Sequence, residues 1–130
     1  MIFIDTDVLI DAIARLPAAM DFLDKLRDEG HDMATTSLNM AETLRGTPPH
    51  GEERHRTLRI LRGLREVPFG PGAARRYGLL QYALDRAGRP VGAVDAMVAA
   101  VVLESGGRLV TRNRDDFERI PGLSILSPPN

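Results

Sequence analysis

Short β-prone runs alternate with helical segments along the whole of this 130-residue chain. The runs predict five strands, at residues 2–4, 33–36, 67–69, 109–111 and 124–126. Because a helical segment separates each strand from the next, the pattern predicts a central, mainly parallel sheet. We therefore expect an α/β fold with helices on both faces of the sheet, organised as a single domain over residues 1–130.

The helical segments are marked by their apolar spacing and by the residues at their ends. The segment Asp5-Thr6-Asp7 can cap a first helix, and Pro17 suits the first turn of a second helix that Gly30 ends. Ser37 is the candidate N-cap of a third helix, which Gly46 closes. Four further helices are predicted, at residues 52–65, 73–87, 92–104 and 114–119.

The composition excludes several classes of functional site. The chain has no cysteine, which excludes disulfides, thiolate zinc sites, iron–sulfur clusters and cysteine nucleophiles. Aromatic residues make up 5% and tryptophan is absent, so platforms for stacking single-stranded bases are poorly supplied. The net charge of −1 does not indicate a chain that is basic throughout. Function must therefore rest on carboxylates, hydroxyls, arginines or the backbone.

The beginning of the chain does not resemble a secretory signal, because Asp5 follows at once on the short apolar run of residues 2–4. The longest apolar run, residues 96–103, is far shorter than the ~20 residues that span a bilayer. We expect a cytoplasmic protein without a membrane segment.

Charge is distributed unevenly along the chain. Residues 1–32 carry eight acids and three bases, whereas residues 54–76 carry seven arginines and one acid. Within the basic segment, Arg56, Arg59 and Arg62 recur every three residues. They form either a solvated helix surface or a surface that contacts the phosphates of RNA, and the sequence leaves both interpretations open.

Acidic residues stand just after predicted strands or near the beginnings of the helices behind them. Asp5 ends the first strand, Glu42 lies in the helix after the second strand, and Asp95 opens an almost wholly apolar helix. Simpler roles exist for each residue. Asp5 and Asp95 can cap helices, and Glu42 can pair with Arg45 or lie in water.

Two adjacent acids, Asp115 and Asp116, follow the fourth predicted strand, with Asn113 just before them. One of these three residues is expected to cap the short helix there. The carboxyl ends of parallel strands meet at one edge of a sheet, so the acids of the chain are expected to converge. Crowded carboxylates require a cation or raised pKa values, and hard oxygen ligands suit Mg²⁺ or Mn²⁺. The pattern indicates a divalent-metal site that activates water against a phosphodiester.

Four segments resemble the motifs of PIN-domain ribonucleases. Residues 3–11 (FIDTDVLID) resemble the opening strand and turn of that family, and residues 36–46 (TSLNMAETLRG) resemble the motif that carries its glutamate. Residues 95–100 (DAMVAA) resemble the third motif, and residues 109–123 (LVTRNRDDFERIPGL) resemble the closing one. Their order, spacing and total length are similar to those of VapC toxins of toxin–antitoxin modules. The resemblance implies a PIN-like three-layer α/β/α sandwich.

The resemblance also implies an activity, that of a magnesium-dependent endoribonuclease. Asp5 and Asp95 match the family's principal metal ligands, and Glu42 and Asp116 match residues that complete or support the metal shell. The implied substrate is RNA. The implied partners are a small VapB-like antitoxin, which blocks the acidic site, and a second copy of the chain in a homodimer.

The closing motif and the first turn leave alternatives for the remaining site residues. Many family members have Asp where this chain has Asn113, whereas others place an acid just before a Phe, which matches Asp116. Asp115 is a further candidate, and Thr111 matches a hydroxyl near the site in many members. Asp7 stands where the family usually has Asn or Ser, and it either adds a carboxylate to the site or caps the first helix.

Two rival functions fit part of the pattern. The segment Asp5-Thr6-Asp7 also satisfies the Asp-x-Asp motif of haloacid dehalogenase phosphatases, but that class needs a lysine well downstream, and the only lysine is Lys25. The second rival is a non-catalytic PIN-like module that binds RNA or protein. Loss of site carboxylates would mark such a module, whereas Asp5, Glu42 and Asp95 are all present.

Overall fold

Five parallel strands form one central sheet in the computed structural model, which describes residues 1–129. The strands are β1 (Ile2–Ile4), β2 (Met33–Thr36), β3 (Arg65–Val67), β4 (Arg108–Val110) and β5 (Ser124–Leu126). Their order in the sheet is β3-β2-β1-β4-β5, and every neighbouring pair is parallel. The predicted parallel α/β sheet is confirmed. The single domain over residues 1–130 stays a prediction, and its last residue, Asn130, lies outside the described part.

Seven helices connect the strands within residues 1–129. They are α1 (Thr6–Ile13), α2 (Pro17–Asp28), α3 (Ser37–Arg45), α4 (Glu52–Arg62), α5 (Pro71–Arg86), α6 (Ala93–Glu104) and α7 (Arg114–Phe117). None of them, in this described part of the chain, has the length and apolar character that crossing a membrane requires.

The helices cover both faces of the sheet because side chains alternate along each strand. Ile2 and Ile4 pack against apolar residues of α1, α2 and α4. Phe3 points to the opposite face and packs against residues of α5 and α6. The two cores on either side of the sheet make the three-layer α/β/α sandwich that the resemblance implied.

The order of the strands creates a topological switch point beside β1. From β1 the chain adds β2 and then β3 on one side of the sheet, and after α6 it returns to add β4 and β5 on the other side. Open α/β sheets bind ligands in the crevice beyond the carboxyl ends of the strands at such a point. Asp5 and Thr111, the residues that directly follow β1 and β4, lie at this crevice.

The predicted boundary between α4 and β3 was wrong. The helix ends at Arg62 rather than at residue 65, because Gly63, a poor helix former, comes next and serves as its C-cap. The strand occupies Arg65–Val67 rather than residues 67–69. Its register pairs Val67 with Thr36 of β2, and Pro68, which has no N–H group to donate to the sheet, ends the strand.

Smaller differences occur at the ends of other elements. The N-cap of α3 is Thr36 rather than Ser37, because Thr36 Oγ1 accepts a hydrogen bond from the backbone N–H of Asn39 at 3.0 Å. Ser37 Oγ donates instead to Glu66 Oε2 at 2.6 Å. Four other predicted elements also shift. Both ends of α5 and of β4 move by one or two residues, the beginning of α6 moves by one residue, and the end of α7 moves by two.

Candidate functional site

Asp5 lies at the switch point and has only 7% of its surface exposed. It occupies the N-cap position of α1, but its side chain makes no capping bond. Instead, Thr111 Oγ1 donates to Asp5 Oδ2 at 2.7 Å, and Asn39 Nδ2 donates to Asp5 Oδ1 at 2.8 Å. The side chain of Asp5 is thus held by residues from the end of β4 and from α3.

Burial raises the pKa of Asp5 from its ordinary value of 3.8 to about 6. The hydrogen bond from Thr111 opposes this shift because it stabilises the charged form, whereas the charge of Asp7 adds to it. The charge of Asp95 also raises this pKa. Ionisation of Asp5 at neutral pH is therefore costly unless positive charge arrives nearby.

Glu42 reaches the same edge of the sheet from α3. It is half-buried, and Thr6 Oγ1 donates a hydrogen bond to its Oε1 at 3.0 Å. Thr6 directly follows Asp5 in the chain, so this bond ties the glutamate to the carboxyl end of β1. The sequence left open whether Glu42 pairs with Arg45, lies in water or joins the other acids. In the structure it bonds to Thr6, the residue after Asp5.

Asp95 lies in the first turn of α6 and does not cap this helix, because Gly92 is the N-cap residue. It is half-buried, and burial raises its pKa above the ordinary value. Three neighbouring carboxylates raise it further: Asp116, Glu42 and Asp7. Acids from α1, α3, α6 and α7 therefore lie close enough together at one edge of the sheet to repel one another.

The closing motif contributes Asp116 rather than Asp115 to this edge. Asn113 Nδ2 donates to Asp116 Oδ2 at 3.2 Å and, more weakly, to Asp95 Oδ2 at 3.4 Å. Asp116 is half-buried, whereas Asp115 is exposed. Asn113 occupies the N-cap position of α7 without a side-chain capping bond. The expectation that one of these three residues caps the helix is therefore met by position, without a side-chain bond.

Asp7 brings a further carboxylate to this edge of the sheet and does not cap α1, whose N-cap position Asp5 occupies. The backbone N–H of Arg112 donates to Asp7 Oδ2 at 3.0 Å. The other oxygen, Asp7 Oδ1, is buried and has no hydrogen-bond partner within residues 1–129. We refer below to Asp5, Asp7, Glu42, Asp95 and Asp116 as the carboxylate cluster.

The carboxylate cluster has the ligand chemistry of a hard divalent cation, although its side chains do not already converge on one point. Within residues 1–129, no three His, Asp or Glu side chains are arranged to chelate a single ion. Two observations fit a cation nevertheless. Burial and, after it, carboxylate repulsion raise the pKa values of Asp5 and Asp95, and a buried oxygen of Asp7 lacks a partner. Positive charge from an oxygen-preferring ion relieves both.

Two polar residues that the sequence analysis did not single out hold this arrangement together. Asn39 is fully buried in α3, and Thr6 begins α1. Asn39 Nδ2 donates to both Asp5 Oδ1 and Thr6 Oγ1. A signal was present in the sequence, because Asn39 precedes Glu42 by three residues and therefore shares its face of α3.

The arginines of α4 lie apart from the carboxylate cluster. Arg56 and Arg59 line a groove of about 390 Å³ between α2 and α4, together with Arg15 and Arg27. Arg62 lines a second, neighbouring depression. Arg56 is half-buried, whereas Arg59 and Arg62 are exposed. Contact of these three residues with RNA stays a prediction.

Comparison with known protein families assigns the chain to one of them. A sequence model described as the PIN domain matches residues 2–123. The chain belongs to the PIN domain family. The match spans every member of the carboxylate cluster. The resemblance carried by the four motifs is confirmed, and the haloacid dehalogenase alternative is wrong.

Relatives of this PIN domain carry VapC names. The chain is 31% identical to Ribonuclease VapC10 of Mycobacterium tuberculosis over 129 residues, which are 99% of this chain and 92% of the relative. It is 28% identical over 124 residues to the tRNA(fMet)-specific endonuclease VapC of Shigella flexneri, covering 92% of each. Within the PIN family, the chain belongs to the VapC group.

A solved structure has the same three-layer architecture. The crystal structure of VapBC2 from Rickettsia felis bound to a DNA fragment from its promoter contains a chain that superimposes with a TM-score of 0.86. The sequence identity is 25%, and the alignment covers 99% of this chain and 100% of that one. The PIN-like α/β/α fold that the resemblance implied is therefore confirmed over nearly the whole chain.

Proposed function

We propose that this PIN domain is a divalent-metal-dependent endoribonuclease and the toxin of a VapBC-type toxin–antitoxin pair. The carboxylate cluster carries the proposal, because five acids from α1, α3, α6, α7 and the end of β1 crowd at the switch point. Such crowding opposes folding, and perturbed carboxylates in a crevice are typical of functional sites. The names of the two VapC relatives, a ribonuclease and a tRNA-specific endonuclease, support RNA as the substrate.

The proposed ligands of Mg²⁺ or Mn²⁺ are Asp5, Glu42, Asp95 and Asp116, with Asp7 as a further carboxylate at the same edge. When bound, such an ion neutralises charge on phosphoryl oxygens and lowers the pKa of water. The carboxylates themselves bind and orient the ion, and their repulsion favours its uptake.

Neighbouring polar residues orient these ligands. Thr111 holds Asp5 by a hydrogen bond of 2.7 Å, and the amide of Asn113 lies between Asp95 and Asp116. An N–H donor shared by two carboxylates reduces their repulsion and limits their rotation. We assign Thr111 and Asn113 as positioning residues of the proposed site, and Asp115 no role in it.

The substrate must approach an acidic crevice although RNA carries a negative charge at every phosphate. A cation in the crevice removes that repulsion locally, so it serves substrate binding as well as chemistry. Arg56, Arg59 and Arg62 are proposed to contact phosphates that flank the scissile bond, which adds salt-dependent affinity.

A small VapB-like antitoxin that blocks the acidic crevice is the proposed partner. The Rickettsia felis structural neighbour is a VapBC complex, which supports a partner of this kind. An antitoxin can neutralise the carboxylate cluster with a basic side chain and exclude RNA at the same time. We also propose that the chain forms a homodimer and works in the cytoplasm, where its RNA substrate occurs.

RNA cleavage by the purified chain tests the proposed function. The wild type should cleave RNA with Mg²⁺ or Mn²⁺, and EDTA should abolish cleavage. Asp95→Asn should lower the rate by about 100-fold or more, because it removes a charged ligand of the ion that is proposed to act on the scissile phosphate. Asp28→Asn is the matched control, since it makes the same charge change at an exposed position of α2.

Three results would contradict the proposal. Cleavage in the presence of EDTA would show that the reaction does not need a metal ion. Equal activity of Asp95→Asn and Asp28→Asn would show that the carboxylate cluster does not take part in cleavage. RNA binding without cleavage under all metal conditions would instead support the non-catalytic PIN-like binding module.

A further inference from the structure

Asn39 is a fully buried amide that contacts the beginning of α1 from its position on α3. Its Nδ2 donates two hydrogen bonds, to Asp5 Oδ1 at 2.8 Å and to Thr6 Oγ1 at 2.9 Å. A buried polar side chain opposes folding unless its groups are paired. Both N–H groups of Asn39 are paired, and both bonds lead to the carboxylate cluster.

Thr36 determines which way the Asn39 amide faces. The backbone N–H of Asn39 donates to Thr36 Oγ1 at 3.0 Å, and the Thr36 hydroxyl donates to Asn39 Oδ1 at 2.7 Å. These two bonds fix the carbonyl oxygen on the Thr36 side, so the NH₂ group faces Asp5. A reversed amide would place its carbonyl oxygen against the Asp5 carboxylate and repel it.

Thr6 extends the effect of Asn39 to Glu42. Because Thr6 Oγ1 accepts from Asn39, its single proton is available to donate to Glu42 Oε1, at 3.0 Å. Asn39 is therefore bonded directly to one carboxylate of the cluster and, through one hydroxyl, to another. Two carboxylates have no donor of their own with which to set their spacing, so N–H and O–H groups must set it.

We propose that Asn39 is a positioning residue of the carboxylate cluster, which holds Asp5 directly and Glu42 by way of Thr6 at the edge of the sheet where the divalent cation is proposed to bind. This inference rests on the proposed metal-dependent function and adds to it a residue that contacts neither metal nor RNA. Loss of a group that orients a metal ligand typically lowers metal affinity about 10–100-fold.

Three variants separate positioning from a structural role. Asn39→Leu removes both donors at similar volume, and Asn39→Thr restores one hydroxyl donor. Thr57→Val is the matched control, because Thr57 is also fully buried, but its hydroxyl donates to the backbone carbonyl of Glu53 within α4. The readouts are Mn²⁺ affinity, from the electron paramagnetic resonance signal of free Mn²⁺, and the melting temperature of the metal-free chain.

We expect the Kd for Mn²⁺ to rise about tenfold or more in Asn39→Leu, to rise less in Asn39→Thr, and to stay at the wild-type value in Thr57→Val. A structural role alone would lower the melting temperature of Asn39→Leu and Thr57→Val and leave both affinities unchanged. Unchanged affinity in a folded Asn39→Leu or Asn39→Thr chain would overturn the proposal.

A metal-free measurement distinguishes failure of this inference from failure of the proposed function. In NMR spectra of the metal-free chain, the side-chain NH₂ of Asn39 should exchange slowly with solvent. One of its two proton signals should shift in Thr6→Val, which removes an acceptor. Rapid exchange, or no response to Thr6→Val, would overturn the positioning role. If the wild type binds no Mn²⁺, the proposed metal-dependent function fails, and these NH₂ signals still decide the role of Asn39.

Discussion

At the scale of single residues, Asp5 is held between opposing influences. Two donors, Thr111 and Asn39, favour its charged form, whereas burial and the charge of Asp7 disfavour it. The outcome is a pKa of about 6, which is close to neutral pH. Near neutral pH, Asp5 is protonated in part of the molecules, and cation binding releases this proton. Metal binding should therefore become weaker below about pH 6.

We expect Asp5 in the metal-free chain to titrate near pH 6 and to reduce folding stability as the pH rises. Its pKa is about 6 in the folded chain against 3.8 ordinarily, so the folded state binds the proton more tightly. The stabilising contribution is complete below about pH 4 and is lost as the pH passes through about 6. The loss amounts to roughly 3 kcal/mol, at about 1.36 kcal/mol per pKa unit.

Carbon-13 NMR of the Asp5 carboxyl and urea denaturation between pH 4 and pH 8 measure this effect. Thr111→Val should move the midpoint upward, because the Thr111 hydrogen bond lowers this pKa. A midpoint below pH 4 in the wild type would show that burial does not control Asp5.

The neighbours Asp115 and Asp116 should respond very differently to the same substitution. Asp116→Asn should lower RNA cleavage about tenfold or more, because Asp116 acts on Asp95 and shares the Asn113 amide with it. Asp115→Asn should leave the rate within about twofold of the wild type, because Asp115 is exposed. A cleavage assay with the two variants at equal Mg²⁺ concentration decides, and the opposite ranking would contradict the assignment of the fourth acid.

At the scale of elements, the approach of β1 to β4 sets the position of the crevice. Gly107 directly precedes β4, and a Cβ atom there would lie 2.8 Å from the ring of Phe3 and 2.9 Å from the carbonyl oxygen of Met1. Phe3 is fully buried in the core and cannot move away freely. The absence of a side chain at position 107 therefore allows the two strands to pair.

Gly107→Ala should reduce the free energy of unfolding by about 1–3 kcal/mol, because the added methyl group overpacks the junction of β1 and β4. Gly78→Ala is the matched control within α5, where a Cβ atom would have no neighbour within 4 Å. It should increase the free energy of unfolding by up to about 1 kcal/mol, since alanine favours the helix. Urea denaturation measures both, and a loss of similar size in both variants would contradict the close approach.

Charge reversal on α4 tests the arginine surface. Arg59 and Arg62 are exposed, so the double variant Arg59→Glu/Arg62→Glu should fold normally. It should bind RNA more weakly, and the slope of log affinity against log salt should flatten by roughly 0.7 per lost phosphate contact. Arg56 is unsuitable for this test, because it is half-buried and a carboxylate there would be partly desolvated. An unchanged affinity and slope would show that α4 is a solvated surface.

Local patterns predicted the elements but not every position within them. Residues 2–4 were correct as a strand because an apolar run ends there at an acid. The strand β3 was misplaced by two residues, because its register depends on pairing with β2, which is remote in sequence. Asn39 was missed because an asparagine in a helix is ordinarily exposed, and its burial arises only when α3 packs beside α1. The acids were predicted as site residues because most of them lie just after a strand or near the beginning of a helix, and because Glu42, in the middle of α3, matches a family motif.

For the molecule as a whole, the carboxylate cluster should destabilise the metal-free chain. A cation at 100 times its Kd adds about 2.7 kcal/mol to the free energy of unfolding. Asp95→Asn should raise the melting temperature of the metal-free chain by a few degrees at pH 8 and remove most of the further increase caused by Mg²⁺. The physical reason is that burial and neighbouring charges raise the pKa of Asp95, so its ionisation costs stability that grows with pH.

Thermal scans at pH 5 and pH 8, each with and without Mg²⁺, measure this prediction. The advantage of Asp95→Asn over the wild type should be larger at pH 8 than at pH 5. A melting temperature below that of the wild type at pH 8 would contradict the repulsive character of the cluster.

The central position of β1 in the sheet also affects how the protein is made. Asp5 and Thr111 share a hydrogen bond although they are 106 positions apart. During translation, a chain that has emerged as far as α6 already carries Asp5, Glu42 and Asp95, but it lacks β4 and α7, which complete the crevice. The site can therefore assemble only when most of the chain has left the ribosome. The order of the strands thus delays assembly of the carboxylate cluster until synthesis of the chain is nearly complete.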